Sequence, residues 1–511
     1  MPSDRIYHYT DDALSEKTLL LGAGRTEKLS NNTQRSSSGY YSITCKDDFQ
    51  GDPRECSFKS ISSFDSFEEE EDSGISRQDI LASTNSFILT LVEKLVPEKK
   101  SSLFLTICTI LPVLHGSAVL GVPYAFMVGG KAFLPASILI CILATICSKL
   151  LIDCMYEISP RSQLRKRVYG MYEDLAFACW GRAGKNFLKA ITILYFAMNN
   201  VVNIVLLFKS LDNLLSDVKM SLPSNNILGC LFVLLFLPFL FGIKEFSILA
   251  YLGLCGTISV LVVCITSVII LVDDSCEWKK NFDEMPMIDL QKFPVAISII
   301  MYTLVVAPTI PIIEGTMSDR TQATAAIYIS FGVSSLSKIF FGAIGYLTFG
   351  MLTMELIATN ISIVSQTARY IISTMLLVYV FCNTIYYTFI LMDMIDGLFI
   401  NNVSNEIARG KRYRVPWMIV SRPICLAILT ATGHVMPYFA LVSSVVGAIC
   451  GSFLAFIAPV YFHVKLKWYE MSFKRKLCEC LLLVVNISLG LISTYTSMNE
   501  LIHTINSQGQ I

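Results

Sequence analysis

The sequence predicts an all-α polytopic membrane protein of about 11 transmembrane helices, ten forming an inverted 5+5 repeat and the last an addition. Three observations predict it. The 511 residues are 53% hydrophobic and only 16% charged, too apolar for a soluble chain of this length. The apolarity is concentrated after Leu103, in successive runs of about 20 residues, each long enough to cross roughly 30 Å of hydrocarbon. Two of those runs, five apart in order, are interrupted by proline and glycine at corresponding places.

The expected spans are 104–128, 132–156, 185–208, 226–243, 246–272, 293–316, 323–350, 366–395, 416–433, 435–463 and 477–500. They are too long for barrel strands and do not alternate polar with apolar residues, so helices are the only reading. The split between the ninth and tenth rests on Gly433 and Pro437. Residues 1–100 are polar, with a serine run at Ser36–Ser38 and an acidic run at Glu68–Asp72, and read as a disordered tail. The spans occupy 101–500, and 501–511 form a short C-terminus.

Orientation follows from the short loops. With the N-terminus in the cytosol, 17 lysines and arginines fall in cytosolic loops, among them Arg161, Arg165, Lys166 and Arg167, against 4 on the far side (Lys131, Lys219, Lys279 and Lys280). The C-terminus then lies on the far side. No signal peptide is expected, since the first 30 residues lack a basic start followed by an apolar run. Asn360-Ile361-Ser362 is a glycosylation sequon in a far-side loop. Within the tail, Glu16, Leu20 and Leu21 have the spacing of an acidic dileucine signal, which implies a clathrin adaptor as partner; residues 86–96 have the pattern of a surface-lying amphipathic helix.

Composition also excludes functions. The net charge is zero, so no basic surplus points to nucleic acid. The 16 cysteines include no CxxC pair and mostly lie in apolar runs; only Cys276 sits in a far-side loop. The histidines are scattered, so no metal site is expected, and no phosphate loop, HExxH or GxSxG element marks an enzyme.

The broken spans carry the chemistry. The first contains Pro112, His115, Gly116, Ser117, Leu120, Gly121 and Pro123; the sixth contains Tyr302, Thr303, Val305, Pro308, Pro311 and Glu314. A break in a membrane helix survives only where it lines protein or a cavity. It offers free N–H groups to a carboxylate and free C=O groups to an ammonium, the two ends of a zwitterionic amino acid. The backbone of Gly116–Gly121 is therefore the candidate carboxylate site, and Val305–Pro308 the candidate ammonium site.

Ionisable groups inside a membrane are costly and mark function. His115 lies beside the first break, Glu314 follows the second, and Lys338 sits mid-way along the seventh span with no end to snorkel to. These three are candidates for coupling or gating. Asn199, Asn200 and Asn203 share part of a face of the third span, lining a cavity or bonding between helices. Arg369, Asp393 and Asp396 lie near the ends of the eighth span and read mainly as interfacial.

The stretch Gly116–Ala125 followed by Gly129-Gly130 resembles the first span of the amino acid/auxin permease superfamily. Asp289–Pro294, Pro311–Met317, Lys338 with Tyr346–Thr348, and Pro437–Leu441 resemble further stretches of its vesicular inhibitory branch, which loads GABA and glycine. The likeness covers about residues 100–500. It implies the leucine-transporter-like fold of amino acid/polyamine/organocation carriers, a cytosolic N-terminus and a luminal C-terminus. It also implies proton-driven antiport into synaptic or other cytoplasmic vesicles, no bound cofactor, and possible chloride coupling. His115 departs from the pattern, where an uncharged polar residue is expected. A lysosomal or plasma-membrane carrier of the superfamily, or a non-transporting amino acid sensor, is the alternative.

Overall fold

The computed structural model describes residues 101–158, 165–215, 233–236, 238, 246–273, 277–403, 407–436 and 438–508. The dileucine residues Glu16, Leu20 and Leu21, the 86–96 segment, Cys276 and most of the expected fourth span lie outside them.

The first span is two helices, α1 (Leu103–Leu114) and α2 (Val122–Gly129), joined through a 3-10 stretch at Ser117–Gly121. Then follow α3 (Phe133–Cys154), a two-stranded antiparallel hairpin of β1 (Tyr156–Ile158) and β2 (Arg165–Arg167), and α4 (Tyr172–Leu215). Next come α5 (Phe246–Asp273) and the short α6 (Trp278–Glu284). The sixth span is again divided, into α7 (Phe293–Tyr302) and α8 (Ile310–Thr316). The remainder is α9 (Ala323–Phe349), the short α10 (Ile357–Val364), α11 (Gln366–Val403), α12 (Ile407–Val435), α13 (Phe439–Leu466) and α14 (Phe473–Gln508).

Seven of these helices are long and apolar enough to cross a membrane by themselves. The halves of the first and sixth spans are too short to do so singly. Apolar side chains such as Leu139, Ile265, Ile269, Leu481 and Leu491 are exposed, as expected of a face solvated by lipid rather than water.

The centre of the bundle is built from the broken spans. α2 packs against α7 and α9, and α7 packs against α13. Small residues permit this. A Cβ at Gly342 of α9 would stand 2.6 Å from Val122, and one at Gly345 would stand 2.7 Å from Pro123, so α9 admits α2 only because those side chains are missing. α4 and α11, the third and eighth spans, lie along one another. Pairs five apart thus occupy related places twice, the first with the sixth and the third with the eighth, as an inverted repeat requires.

The structure revises several boundaries. The third span extends to 172–215, with Gly181 at φ 67° dividing a short leading helix from the crossing part. Gly433 does not end the ninth span: it lies inside α12, where a Cβ would meet Ile204 at 2.9 Å. α14 runs on to Gln508, so the expected 501–511 tail is largely the end of a helix. The hairpin and the loop helices α6 and α10 are short, and their pairing is decided by contacts distant in sequence, so no local pattern announces them. α13 contains a π-helical stretch at Gly447–Ile457, the wider winding often found where a helix faces a site.

Candidate amino acid site between the broken helices

α1 ends where Gly116 adopts an extended conformation (φ −62°, ψ −177°). Its last carbonyls and the first N–H groups of the following turn therefore face the interior. Gly116 has little room for a side chain, since a Cβ would stand 3.3 Å from the Tyr379 phenol. That phenol accepts the Ser117 N–H at 2.8 Å, and the Ser117 hydroxyl donates to Asn203 Oδ1 at 3.3 Å. The N–H expected to receive a carboxylate is thus held by a tyrosine oxygen in this state.

The sixth span unwinds between Tyr302 and Ile310. Two of the carbonyls there take side-chain donors from other helices. The fully buried Lys338 ammonium donates to Thr303 O at 2.8 Å, and the Tyr195 phenol donates to Val305 O at 3.4 Å. A cation at the carbonyl end of a helix is favoured both by hydrogen bonding and by the helix dipole. Among the described residues no carboxylate forms an ion pair with Lys338. At the preceding residue of α9, His115 Nε2 and Ser337 Oγ are 2.5 Å apart, joining the first break to that helix.

Between the breaks lies a small cavity of about 20 Å³, lined by Val113, Leu114, Gly116, Ser117, Ala118, Tyr195, Asn199, Tyr302, Thr303, Tyr379 and Tyr387. A second, of about 10 Å³, adjoins it at Val113, Tyr195, Phe196, Val305, Pro308, Thr309, Tyr386 and Tyr387. Each has room for about one water. The two breaks are therefore closed against one another, with space between them for little more than water.

Six of the eight substrate-binding candidates thus come together around these cavities: Gly116, Ser117, Tyr302, Thr303, Val305 and Pro308. Leu120 and Gly121 do not line them. Leu120 is fully buried, and Gly121 faces Phe439, Ile299 and the carbonyl of Glu355, because the 3-10 winding turns that part of the chain away. Tyr195, Tyr379 and Tyr387 escaped the sequence reading, since single tyrosines in apolar helices resemble ordinary core residues. Of the three asparagines, Asn199 lines the cavity, Asn203 accepts from Ser117, and Asn200 accepts from Thr388 at 3.1 Å.

Glu314 stands apart, at the end the sequence places in the cytosol. It is 2% exposed, 2.9 Å from Arg167 Nε in an ion pair whose angle is not that of a hydrogen bond, and 3.9 Å from Arg320 Nε. The Tyr156 hydroxyl donates to its other oxygen. Burial, with the carboxylate alongside, holds that phenol above its ordinary pKa range. Arg167 also donates to Pro311 O at 2.7 Å, and Ser101 N donates to Thr316 O at 2.8 Å. The hairpin and the end of the sixth span are thus tied together, and so are the start of the first span and the end of the sixth.

Asn360 is not a surface sequon. It is 5% exposed within α10, accepts from Met354 N at 2.8 Å and donates to Leu352 O at 2.9 Å, which leaves no room for a glycan. Asp396, also buried, accepts from the Trp417 indole at 2.7 Å. No group of three or more histidine, cysteine or acidic residues among the described ones is placed to hold a metal.

The family described as transmembrane amino acid transporter protein matches residues 99–502. The chain is 23% identical to the vesicular inhibitory amino acid transporter of Xenopus tropicalis, over 77% of its own length and 74% of the relative's. It is 22% identical to the vesicular GABA transporter of Caenorhabditis elegans, over 77% and 79%, and 24% identical to an amino acid transporter of Arabidopsis thaliana, over 78% and 91%. Among solved structures, the nucleobase-cation-symport-1 transporter MHP1 aligns at a TM-score of 0.45 and 12% identity, covering 80% of this chain and 94% of that one. The Eremococcus coleocola manganese transporter aligns at 0.42 and 13%, over 81% and 94%.

Proposed function

Because the chain belongs to the transmembrane amino acid transporter family, a family of carriers and not of enzymes, we propose that it is a proton-coupled secondary transporter moving small amino acids from the cytosol into acidic vesicles, with GABA and glycine as its substrates. The observation that carries this reading is the facing pair of helix breaks, with Ser117 and Thr303 lining one cavity and Val305 lining the one that adjoins it. A substrate carboxylate takes the Ser117 N–H by displacing the Tyr379 phenol, and its ammonium meets the carbonyls of the sixth-span break. Lys338 neutralises the α7 carbonyl end when the site is empty, so the bound ammonium and Lys338 compete for one pole. Loss of the Lys338 proton as substrate binds is the coupling step of this reading, and the proton gradient is the driving force. The relatives named as vesicular transporters support the vesicle location, and the dileucine residues Glu16, Leu20 and Leu21 support sorting by a clathrin adaptor.

The test is uptake of labelled GABA, glycine and a panel of other amino acids into proteoliposomes with an imposed inside-acid, inside-positive gradient, with and without chloride. Uptake of GABA or glycine that collapses with the gradient supports the reading. Uptake of other amino acids alone reassigns the substrate, and no uptake by correctly inserted protein removes transport from the account.

A further inference from the structure

On the side opposite the Glu314 cluster, the loop between α9 and α10 carries a carboxylate with no role in the chemistry described so far. Glu355 Oε2 accepts the backbone N–H of Ala440 at 3.2 Å, in the first turn of α13, whose own cap residue Tyr438 supplies no side-chain cap. The same oxygen is 4.0 Å from the Lys209 ammonium of α4. The Glu355 carbonyl faces Gly121, the residue that starts the upper half of the broken first span. One short loop therefore fastens the third span and the tenth, and lies against the first at Gly121. Asn360 holds the loop in shape through Leu352 O and Met354 N.

We propose that Glu355 is a proton-responsive latch of this far-side lid: protonated by the compartment it faces, it lets the lid close over the first span. This rests on the transport reading for its purpose, though not for its test. The sign follows from burial. The Glu355 side chain is only 20% exposed in the closed lid. Its charge has one distant cation and one backbone N–H to compensate for the water it loses. Burial accordingly holds its carboxyl above the ordinary glutamate value, with the Lys209 charge and the Ala440 N–H acting the other way. A group that binds its proton more tightly in the closed lid than in water draws the lid shut as pH falls. Tyr124 on α2 lies within electrostatic reach of Glu355 and of Glu500, and Glu500 is paired with Lys292 at 3.8 Å. The proton enters from the facing compartment and returns to it when the lid reopens, so no net proton transfer is assigned to Glu355.

In an acidic vesicle this closes the carrier after its cargo has left, which is the step that returns it toward the cytosol. Hydrogen exchange of residues 350–366 in the full-length chain, reconstituted in lipid nanodiscs and corrected for the chemical exchange rate, reads the lid without any substrate. The wild-type lid should exchange several-fold more slowly at about pH 5.5 than at about pH 7.5. Glu355→Gln should exchange slowly at both. Lys209→Gln, which removes the compensating charge, should move the transition upward by about one pH unit. Equal pH responses in wild type and Glu355→Gln would overturn the assignment. Fast exchange by Glu355→Gln at both pH values would also overturn it, because the ionised pair would then be what holds the lid. A failure of the transport reading appears separately, as absent uptake by the wild type.

Discussion

The Lys338 ammonium reaches across from α9 to the Thr303 carbonyl at 2.8 Å, and so places a positive charge on the end that the broken sixth span leaves open. A lysine without an acidic partner in a membrane interior is costly, and the carbonyl pole of α7 is what makes it tolerable.

Lys338→Met keeps the length of the side chain and removes the charge. Exchanging a buried charge for a well-packed apolar group is commonly neutral or stabilising, offset by about 1–3 kcal/mol for the Thr303 carbonyl left bare. Thermal unfolding should therefore shift by only a few degrees while gradient-driven uptake falls to background. A large loss of thermal stability would instead mark Lys338 as structural.

Tyr379→Phe removes the group that holds the Ser117 N–H in the empty site. The bare N–H then raises the free energy of the empty state by about 1–3 kcal/mol. If a substrate carboxylate replaces the phenol, the KM for uptake should fall, by about tenfold for each 1.4 kcal/mol. A higher KM would show that the phenol contacts bound substrate.

Glu314→Gln leaves Arg167 and Arg320 without their shared carboxylate. Breaking such a buried pair costs about 3 kcal/mol, and if the cluster is a gate the closed state alone bears it, because an open gate hydrates these groups. Preloaded vesicles should leak substrate faster in the variant, and gradient-driven accumulation should fall. Arg167→Ala should behave the same way, and unchanged leak in both would remove this cluster from gating.

Buried and paired through its amide, Asn360 should carry no glycan, so wild type and Asn360→Ala should show the same electrophoretic mobility. Asn360→Ala should loosen the 350–356 loop, visible as faster hydrogen exchange there, since Met354 N and Leu352 O both lose a buried partner.

Much of the fold was legible because membrane insertion is decided by sums over about 20 residues, and those sums survive any detail of packing. The breaks at Gly116 and at Val305–Pro308 were legible for the same local reason: proline and glycine act on their own backbone wherever the chain places them. Glu314 and Lys338 announced themselves by charge in apolar surroundings. Nothing local distinguished Tyr379 from any other tyrosine in a helix, or Arg167 from its basic neighbours, or Glu355 from a surface acid.

What the sequence determined by itself is therefore the run of apolar helices, the two interruptions five spans apart, and the cost of each buried charge. The tertiary structure decided the partners: Lys338 with a carbonyl rather than a carboxylate, Glu314 with Arg167 on a hairpin, Asn360 buried in α10 against the loop before it, and Leu120 and Gly121 turned from the cavity. Helix formation and insertion depend on neighbours a few residues away. A partner 35 residues off for Lys338, or 147 for Glu314 (314 − 167), depends on how packed helices rotate against one another, and a one-dimensional pattern does not encode that rotation.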